Sequence, residues 1–210
     1  PDVRFRLSSI EASEVDDALV ELLRDGNRVV PHLHAPLQSG SDRLLKRMGR
    51  HWYTGASYVS AVRRIVDARA VFGLGADIIV GFPGETDDDF AMTGAIVSEL
   101  PFTYLHVFVY SPRAGTAAPR LPDPVPLAAA HDRSHRLRHL AQEKGQAYRE
   151  ARAGGKADVV VTTGAPEREG VTEDYLTVRV AENRSRGDRF ATQLTLVAGE
   201  LQTVDLRPQT

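Results

Sequence analysis

Asp77-Ile78-Ile79-Val80-Gly81-Phe82-Pro83-Gly84-Glu85-Thr86 is an apolar run that stops at two glycines, a proline and a carboxylate. The consecutive β-branched residues Ile78 to Val80 suit a strand buried on both faces, as parallel strands covered by helices are. Gly81 and Gly84 let the backbone turn sharply and approach a ligand, and Thr86 with Asp89 three residues on reads as a helix N-cap. The stretch is therefore a strand, a tight turn and a helix start, the junction at which parallel α/β folds bind ligands. Turn chemistry alone would also suit a plain connection. What favours a site is that the neighbouring units end in the same way.

Upstream, Val3 to Leu7 reads as a strand followed by Ser8, Ser9 and Glu11, and Ser13 with Asp16 caps a helix carrying Val15, Leu19, Leu22 and Leu23. Val29 to Leu37 forms a second, irregular strand with Pro31 and Pro36, running into Gln38-Ser39-Gly40-Ser41-Asp42 and a short helix from Arg43 to Met48. Thr54 opens a longer helix with Tyr58, Val62, Ile65, Val66 and Ala70 at helical spacing, and Gly73 and Gly75 are expected to stop it. Ala76 to Val80 is the third strand, and its helix runs to about Leu100, where Pro101 ends it. Asp87, Asp88 and Asp89 suit the positive end of that helix's dipole. Tyr104 to Tyr110 is the fourth strand, closing on Ser111-Pro112-Arg113-Ala114-Gly115-Thr116. Four strands separated by helices imply parallel crossovers, so all the polar clusters meet at one carboxyl edge.

Pro119, Pro122, Pro124 and Pro126 then form a stiff linker. Leu127 to about Arg152 is a long helix whose Leu137, Leu140, Ala141 and Tyr148 can pack on the first domain. Its surplus of arginines suits a solvated face better than an RNA surface. Beyond Gly154-Gly155, short β runs at Asp158 to Thr163, Tyr175 to Ala181, Phe190 to Leu196 and Leu201 to Leu206 indicate a small antiparallel barrel or sandwich. Domain bounds of 1–118, 119–153 and 154–210 follow.

With 42% hydrophobic residues in 210, the chain can bury a core. No apolar run approaches the roughly 20 residues of a membrane helix, and the N-terminus has no signal-like segment, so a cytoplasmic location is expected. A formal charge of −2 gives no overall basic footprint. Zero cysteine excludes disulfides, thiolate catalysis and cysteine-ligated clusters within this chain. The chain opens at Pro1 almost directly inside a strand-like run, as a piece of a longer protein would.

His32 and His34 lie two apart in a strand and face one side, a spacing suited to a divalent metal and to a metal-dependent hydrolase. No nearby run supplies further ligands, so no metal is assigned, and His106 is expected to be packed or hydrogen-bonded within the sheet. Glu85 can accept hydrogen bonds from a ligand or cap its helix, and Gln38 and Ser39 suit a ribose or an amino-acid head group. Lys46, Arg47 and Arg50 can meet phosphates or form a charged helix surface. Arg184, Arg186 and Arg189 are the one basic cluster of the last segment. A non-catalytic RNA-binding module is a further alternative.

Arg6-Leu7-Ser8-Ser9-Ile10-Glu11, His34 to Asp42, Ile79 to Thr86 and Tyr110 to Thr116, in this order and spacing, resemble the radical S-adenosylmethionine methylthiotransferases. The resemblance implies an α/β fold, the last four strands of a (β/α)6 partial TIM barrel, followed by a small all-β TRAM barrel that binds tRNA. Gly170 to Val178, with Leu105-His106-Val107-Phe108, is most similar to the subgroup acting on N6-threonylcarbamoyladenosine beside the anticodon. Related enzymes act on isopentenyladenosine or on a ribosomal-protein aspartate.

The complete enzymes use S-adenosylmethionine and two 4Fe-4S clusters to add a methylthio group to tRNA. This chain, having no cysteine, is expected to be inactive alone and to ligate neither cluster. By resemblance, Gln38 and Ser39 line the ribose or methionine side of S-adenosylmethionine, and Ser8 and Ser9 lie near its reactive end. Gly81, Phe82, Pro83, Gly84, Glu85, Val109 and Tyr110 pack around adenine. Lys46, Arg47, Arg50, Arg113, Arg184, Arg186 and Arg189 are the candidate RNA contacts. Ala12, Val109 and Ala117 stand where the family tends to have proline. Self-association through the exposed barrel edge at Val3 to Leu7 is also expected, because an open half-barrel leaves sheet edges unpaired.

Overall fold

A computed structural model of the chain describes residues 3–25, 28–166, 168–181 and 183–204. Strands β1 (His32–His34), β2 (Gly73–Val80) and β3 (Tyr104–Val109) form a parallel sheet in that order. Helices α1 (Asp17–Asp25), α2 (Asp42–Arg47), α3 (Gly55–Val66) and α4 (Asp87–Glu99) connect the strands. The register pairs His34 with Gly75, and Asp77 with His106. Side chains therefore alternate between two environments. Leu33, Ala35, Leu74, Ala76, Ile78 and Val107 pack into one large core that includes Tyr58, Val62, Ile65 and Val97 of the helices. His32, His34, Gly73, Gly75, Asp77, Tyr104, His106 and Phe108 stand at the alternate positions, on the concave face.

The fold is the expected α/β half-barrel with a small barrel after it, but three local expectations need correction. Ser13 lies in a 3-10 turn and does not cap α1; Asp16 does, accepting from Leu19 N–H at 2.8 Å. Val3 to Leu7 is no full strand: Phe5 makes a single parallel bridge to Val29, with Phe5 N–H donating to Arg28 O at 2.7 Å. As the last element of the sheet it has a neighbour on one side only, and Phe5 stays exposed. Gly73 and Gly75 do not stop a helix, because α3 ends at Val66 and both glycines lie inside β2. They are small because other groups need the room. A Cβ on Gly75 would lie 2.0 Å from Tyr104 Cζ, and one on Gly73 2.1 Å from Asp174 O.

A 3-10 turn, Ala118–Arg120, lies between β3 and the 26-residue helix α5 (Leu127–Arg152). Leu137 and Leu140 of α5 pack into the sheet core, whereas Tyr148 packs against the second core. That second core fills a closed barrel of β4 (Lys156–Val161), β5 (Glu169–Thr172), β6 (Thr177–Arg179), β8 (Glu200–Val204) and β7 (Arg189–Val197), in this order around the barrel. β5 is absent from the sequence reading because a four-residue strand containing glycine gives little periodicity. The expected last strand reached Leu206, but Leu206 lies outside the described residues.

The turn from β5 to β6 docks the barrel under the sheet. Asp174, fully buried, accepts from Tyr148 Oη and Arg152 Nε at 2.7 Å each. Arg6 donates to Thr172 O at 3.0 Å and stacks over Tyr175 at 4.8 Å, and Tyr175 meets the His32 ring at 4.6 Å.

Candidate functional site

All three strands end at the same edge, and there the backbone leaves regular geometry. Gln38 has φ +63°, Gly81 +75° and Gly84 +83°. A left-handed non-glycine residue is uncommon and persists where its surroundings hold it. Gln38 is held: its N–H donates to Asp77 O at 2.8 Å, and its carbonyl accepts from Ile79 N at 2.9 Å. Beside it opens a cavity of about 540 Å³ lined by Gln38, Arg50, Asp77, Ile79, Phe82, Phe108, Val109, Tyr110, Ser111, Arg113, Thr116 and Ala118. Phe82 and Tyr110 meet edge to face at 5.2 Å, and the Tyr110 hydroxyl is buried with no protein partner. A larger groove of about 830 Å³ runs between α3 and α4 and reaches the loops after β1 and β2, with Gly40, Ser41, Thr86 and Asp89 among its lining residues.

The sequence candidates thus divide. Gln38, Phe82, Val109 and Tyr110 line the cavity. Gly81, Pro83, Gly84 and Glu85 shape the loop behind it, and Ser8, Ser9 and Ser39 are not among its lining residues. Glu85 is engaged internally, accepting from Gly81 N–H and from Arg133 Nη1 at 2.8 Å, while Arg133 also donates to Asp87 at 2.7 Å. Burial pushes the Glu85 carboxyl up, against the pull of the Gly81 amide and Arg133. Ser39 is buried against Thr93 and accepts from Ser41 N at 3.2 Å, which fixes the loop leading into α2.

That loop is locked to α4 by Asp89. Its carboxylate accepts from Ser41 Oγ, Thr86 N–H and Arg43. Burial works against the ionised form of Asp89, but the bonds from Arg43, Ser41 and Thr86 outweigh it and hold the carboxyl far below its usual range. Sequence reading missed Asp77, Ile79 and Phe108 as lining residues. Their signal was the alternation itself, since Asp77 and Ile79 share the parity of Gly81 along β2.

Among the basic candidates, Arg50 and Arg113 line the cavity. Arg50 also pairs with Glu11 at 2.9 Å. Lys46 is exposed on α2, whereas Arg47 donates to Pro83 O at 2.8 Å and Pro122 O at 2.7 Å, tying the linker to the glycine loop. On the barrel, Arg186 is exposed, Arg184 lies over Phe190 at 4.2 Å, and Arg189 pairs with Asp158 at 2.8 Å.

Below the cavity the concave face carries a polar chain. Tyr104 Oη lies 2.9 Å from His32 Nε2 and 3.1 Å from His34 Nδ1. His34 Nε2 and His106 Nδ1 each lie 3.1 Å from Asp77 Oδ1. His106 is therefore hydrogen-bonded, as expected, but its side chain is 56% exposed and not packed. Burial, then the charge of Arg6, bring His32 down to about 3, so it is neutral at ordinary pH.

Comparison with known proteins places the chain among relatives. Residues 3–95 match the family model described as the Radical SAM superfamily. The Threonylcarbamoyladenosine tRNA methylthiotransferase MtaB of Bacillus subtilis is 36% identical over 181 residues, covering 83% of this chain and 40% of that protein. Its namesake from Thermotoga maritima is 40% identical over 76% of this chain and 36% of that protein. The tRNA-2-methylthio-N(6)-dimethylallyladenosine synthase of Oceanobacillus iheyensis is 41% identical over 77% of this chain and 30% of that protein. The chain thus spans well under half the length of these relatives.

Proposed function

We propose that the chain is part of a radical S-adenosylmethionine methylthiotransferase, a reading supported by its match to the Radical SAM superfamily model and its 36–40% identity to such enzymes, and that it supplies the cofactor cradle and part of the tRNA surface of such an enzyme. The proposed reaction adds a methylthio group to C2 of N6-threonylcarbamoyladenosine next to the anticodon. The observation that carries the reading is the cavity at the carboxyl edge, in which an orphaned tyrosine hydroxyl, a strained glutamine and aromatic walls converge. Threonylcarbamoyladenosine is proposed over dimethylallyladenosine on the resemblance of Gly170 to Val178 and Leu105 to Phe108, since relatives named for either nucleoside match at similar identity.

The cavity residues suit S-adenosylmethionine. Phe82, Ile79 and Tyr110 would hold a flat heteroaromatic ring and exclude water from it, and the Gln38 amide would orient a polar group of the ribose or methionine part. When bound beside a reduced cluster, S-adenosylmethionine supplies the radical chemistry of the family. The chain has no cysteine, so it offers no thiolate for the clusters, and the chain by itself is proposed to be inactive.

Arg50 and Arg113 at the cavity, Lys46 and Arg47 on α2, and Arg184, Arg186 and Arg189 on the barrel would meet tRNA phosphates. Arg47, Arg50 and Arg189 each also bind an internal partner, which a phosphate would have to displace or share. No helix among the described residues is long and apolar enough to cross a membrane, and a tRNA substrate would place the protein in the cytoplasm. Self-association would use exposed Val3 and Phe5, and sedimentation of the chain at rising concentration tests it.

The function is tested by disrupting the encoding gene in its own cell and measuring tRNA nucleosides by mass spectrometry. Loss of 2-methylthio-N6-threonylcarbamoyladenosine, with accumulation of the unthiolated nucleoside, is expected. Loss of the methylthio group from dimethylallyladenosine instead would overturn the substrate, and unchanged nucleosides would leave an RNA-binding module.

A further inference from the structure

We infer that His34, Asp77 and His106 form a site for a divalent transition-metal ion on the concave face of the sheet. The three residues come from adjacent parallel strands, and the register that pairs Asp77 with His106 and His34 with Gly75 brings them together. From sequence, His34 is paired with His32 and has no further ligand; in the sheet His32 is engaged by Tyr104 and Tyr175, and the neighbours of His34 are instead Asp77 from β2 and His106 from β3. One ligand atom from each lies within 4.8 Å of the others, and Asp77 Oδ1 is 3.1 Å from both ring nitrogens. Ligand bonds of about 2.1 Å in a tetrahedral zinc site place donor atoms about 3.4 Å apart. The two edges at Asp77 therefore need to open by a few tenths of an ångström, while the edge between the two ring nitrogens, at most 4.8 Å, closes toward the same value.

Two imidazoles and a carboxylate are a donor set taken by zinc and by iron(II), with positions left for water or another oxygen or nitrogen donor. The surroundings fit that role. His34 Nδ1 faces Tyr104 Oη, which also meets His32 Nε2, so the second nitrogen of His34 has a partner that fixes ring orientation, as metal-bound histidines have. Access is open, because the His106 side chain is 56% exposed and Asp77 lines the cavity above. The inference does not depend on the cofactor reading. S-adenosylmethionine binding can fail while the metal binds, and the reverse.

One competing binder must be removed first. His131, His135 and His139 are exposed at four-residue spacing along α5, and such a stripe chelates zinc on its own. Chelator-treated 210-residue chain carrying His135→Ala and His139→Ala is therefore titrated with zinc chloride by calorimetry, with the histidine ring resonances followed by NMR. One zinc per chain is expected, shifting the His34 and His106 rings together. His106→Ala or Asp77→Asn should weaken it by tenfold or more, and Tyr104→Phe by about tenfold with the stoichiometry kept. His106 is exposed, so its substitution spares the core, and circular dichroism checks the fold of each variant. No uptake in the doubly substituted background, or uptake unchanged by His106→Ala, would overturn the site and leave a hydrogen-bonded triad.

Discussion

Asp89 ties the loop after β1 to the helix after β2, and its environment has a pH signature. A carboxyl whose folded value is depressed contributes stability that is fully present above its unfolded value near 3.9. That contribution is lost as pH falls below this value toward the folded one. The urea midpoint of the wild-type chain should therefore drop as pH is lowered beneath about 4, and Asp89→Asn should flatten part of the drop. At pH 7 the same substitution should cost roughly 2 kcal/mol, the scale of hydrogen bonds to a charged group. An identical pH profile for the two proteins would refute this role. Asp89 was legible in sequence as a helix-capping residue; Ser41 and Arg43 were not legible as its partners, because only the folded sheet brings the two loops together. The same limit hid the pairing of Glu85 with Arg133, 48 positions away.

At the scale of elements, strand, tight turn and helix were readable because each leaves a local mark: β-branched residues, paired glycines and a capping box. What glycine does inside an element is less readable. Gly81 has its positive φ, as its turn position suggests, but its position also faces α5, where an added Cβ would lie 2.5 Å from Ala130 Cβ. Gly81→Ala should therefore cost more than the roughly 1–2 kcal/mol of a left-handed residue alone, and hydrogen exchange should speed up around Ala130 as α5 lifts. Normal protection there would contradict the packing. Gly73 and Gly75 look like a helix stop in sequence, because the groups that fill their space arrive from Tyr104 and from Asp174, beyond any local window. Phe5 shows the converse limit, since a strand-like run cannot state how many neighbours it will find.

For the whole molecule, the fold class was legible from the order of its units, whereas the docking of barrel to sheet was not. It rests on Arg152, which reaches buried Asp174 and Glu173 from the end of α5. Arg152→Ala would leave the Asp174 carboxylate buried without its cation, at a cost of about 3–5 kcal/mol. Calorimetry should then separate one melting transition into two, with the barrel uncoupled from the sheet. A single transition at the wild-type temperature would show that the ion pair does not join the two cores. The same docking leaves the carboxyl edge open at the far end of the strands, where the cofactor is proposed to sit. Equilibrium dialysis of the chain against labelled S-adenosylmethionine, beside Gln38→Gly, tests that most directly. Glycine accepts the positive φ of Gln38, so the variant should fold at least as well while lacking the amide. Saturable binding, weakened about tenfold by the substitution, is expected; no saturable binding, or equal affinity in both chains, would contradict the cavity as the cofactor's site.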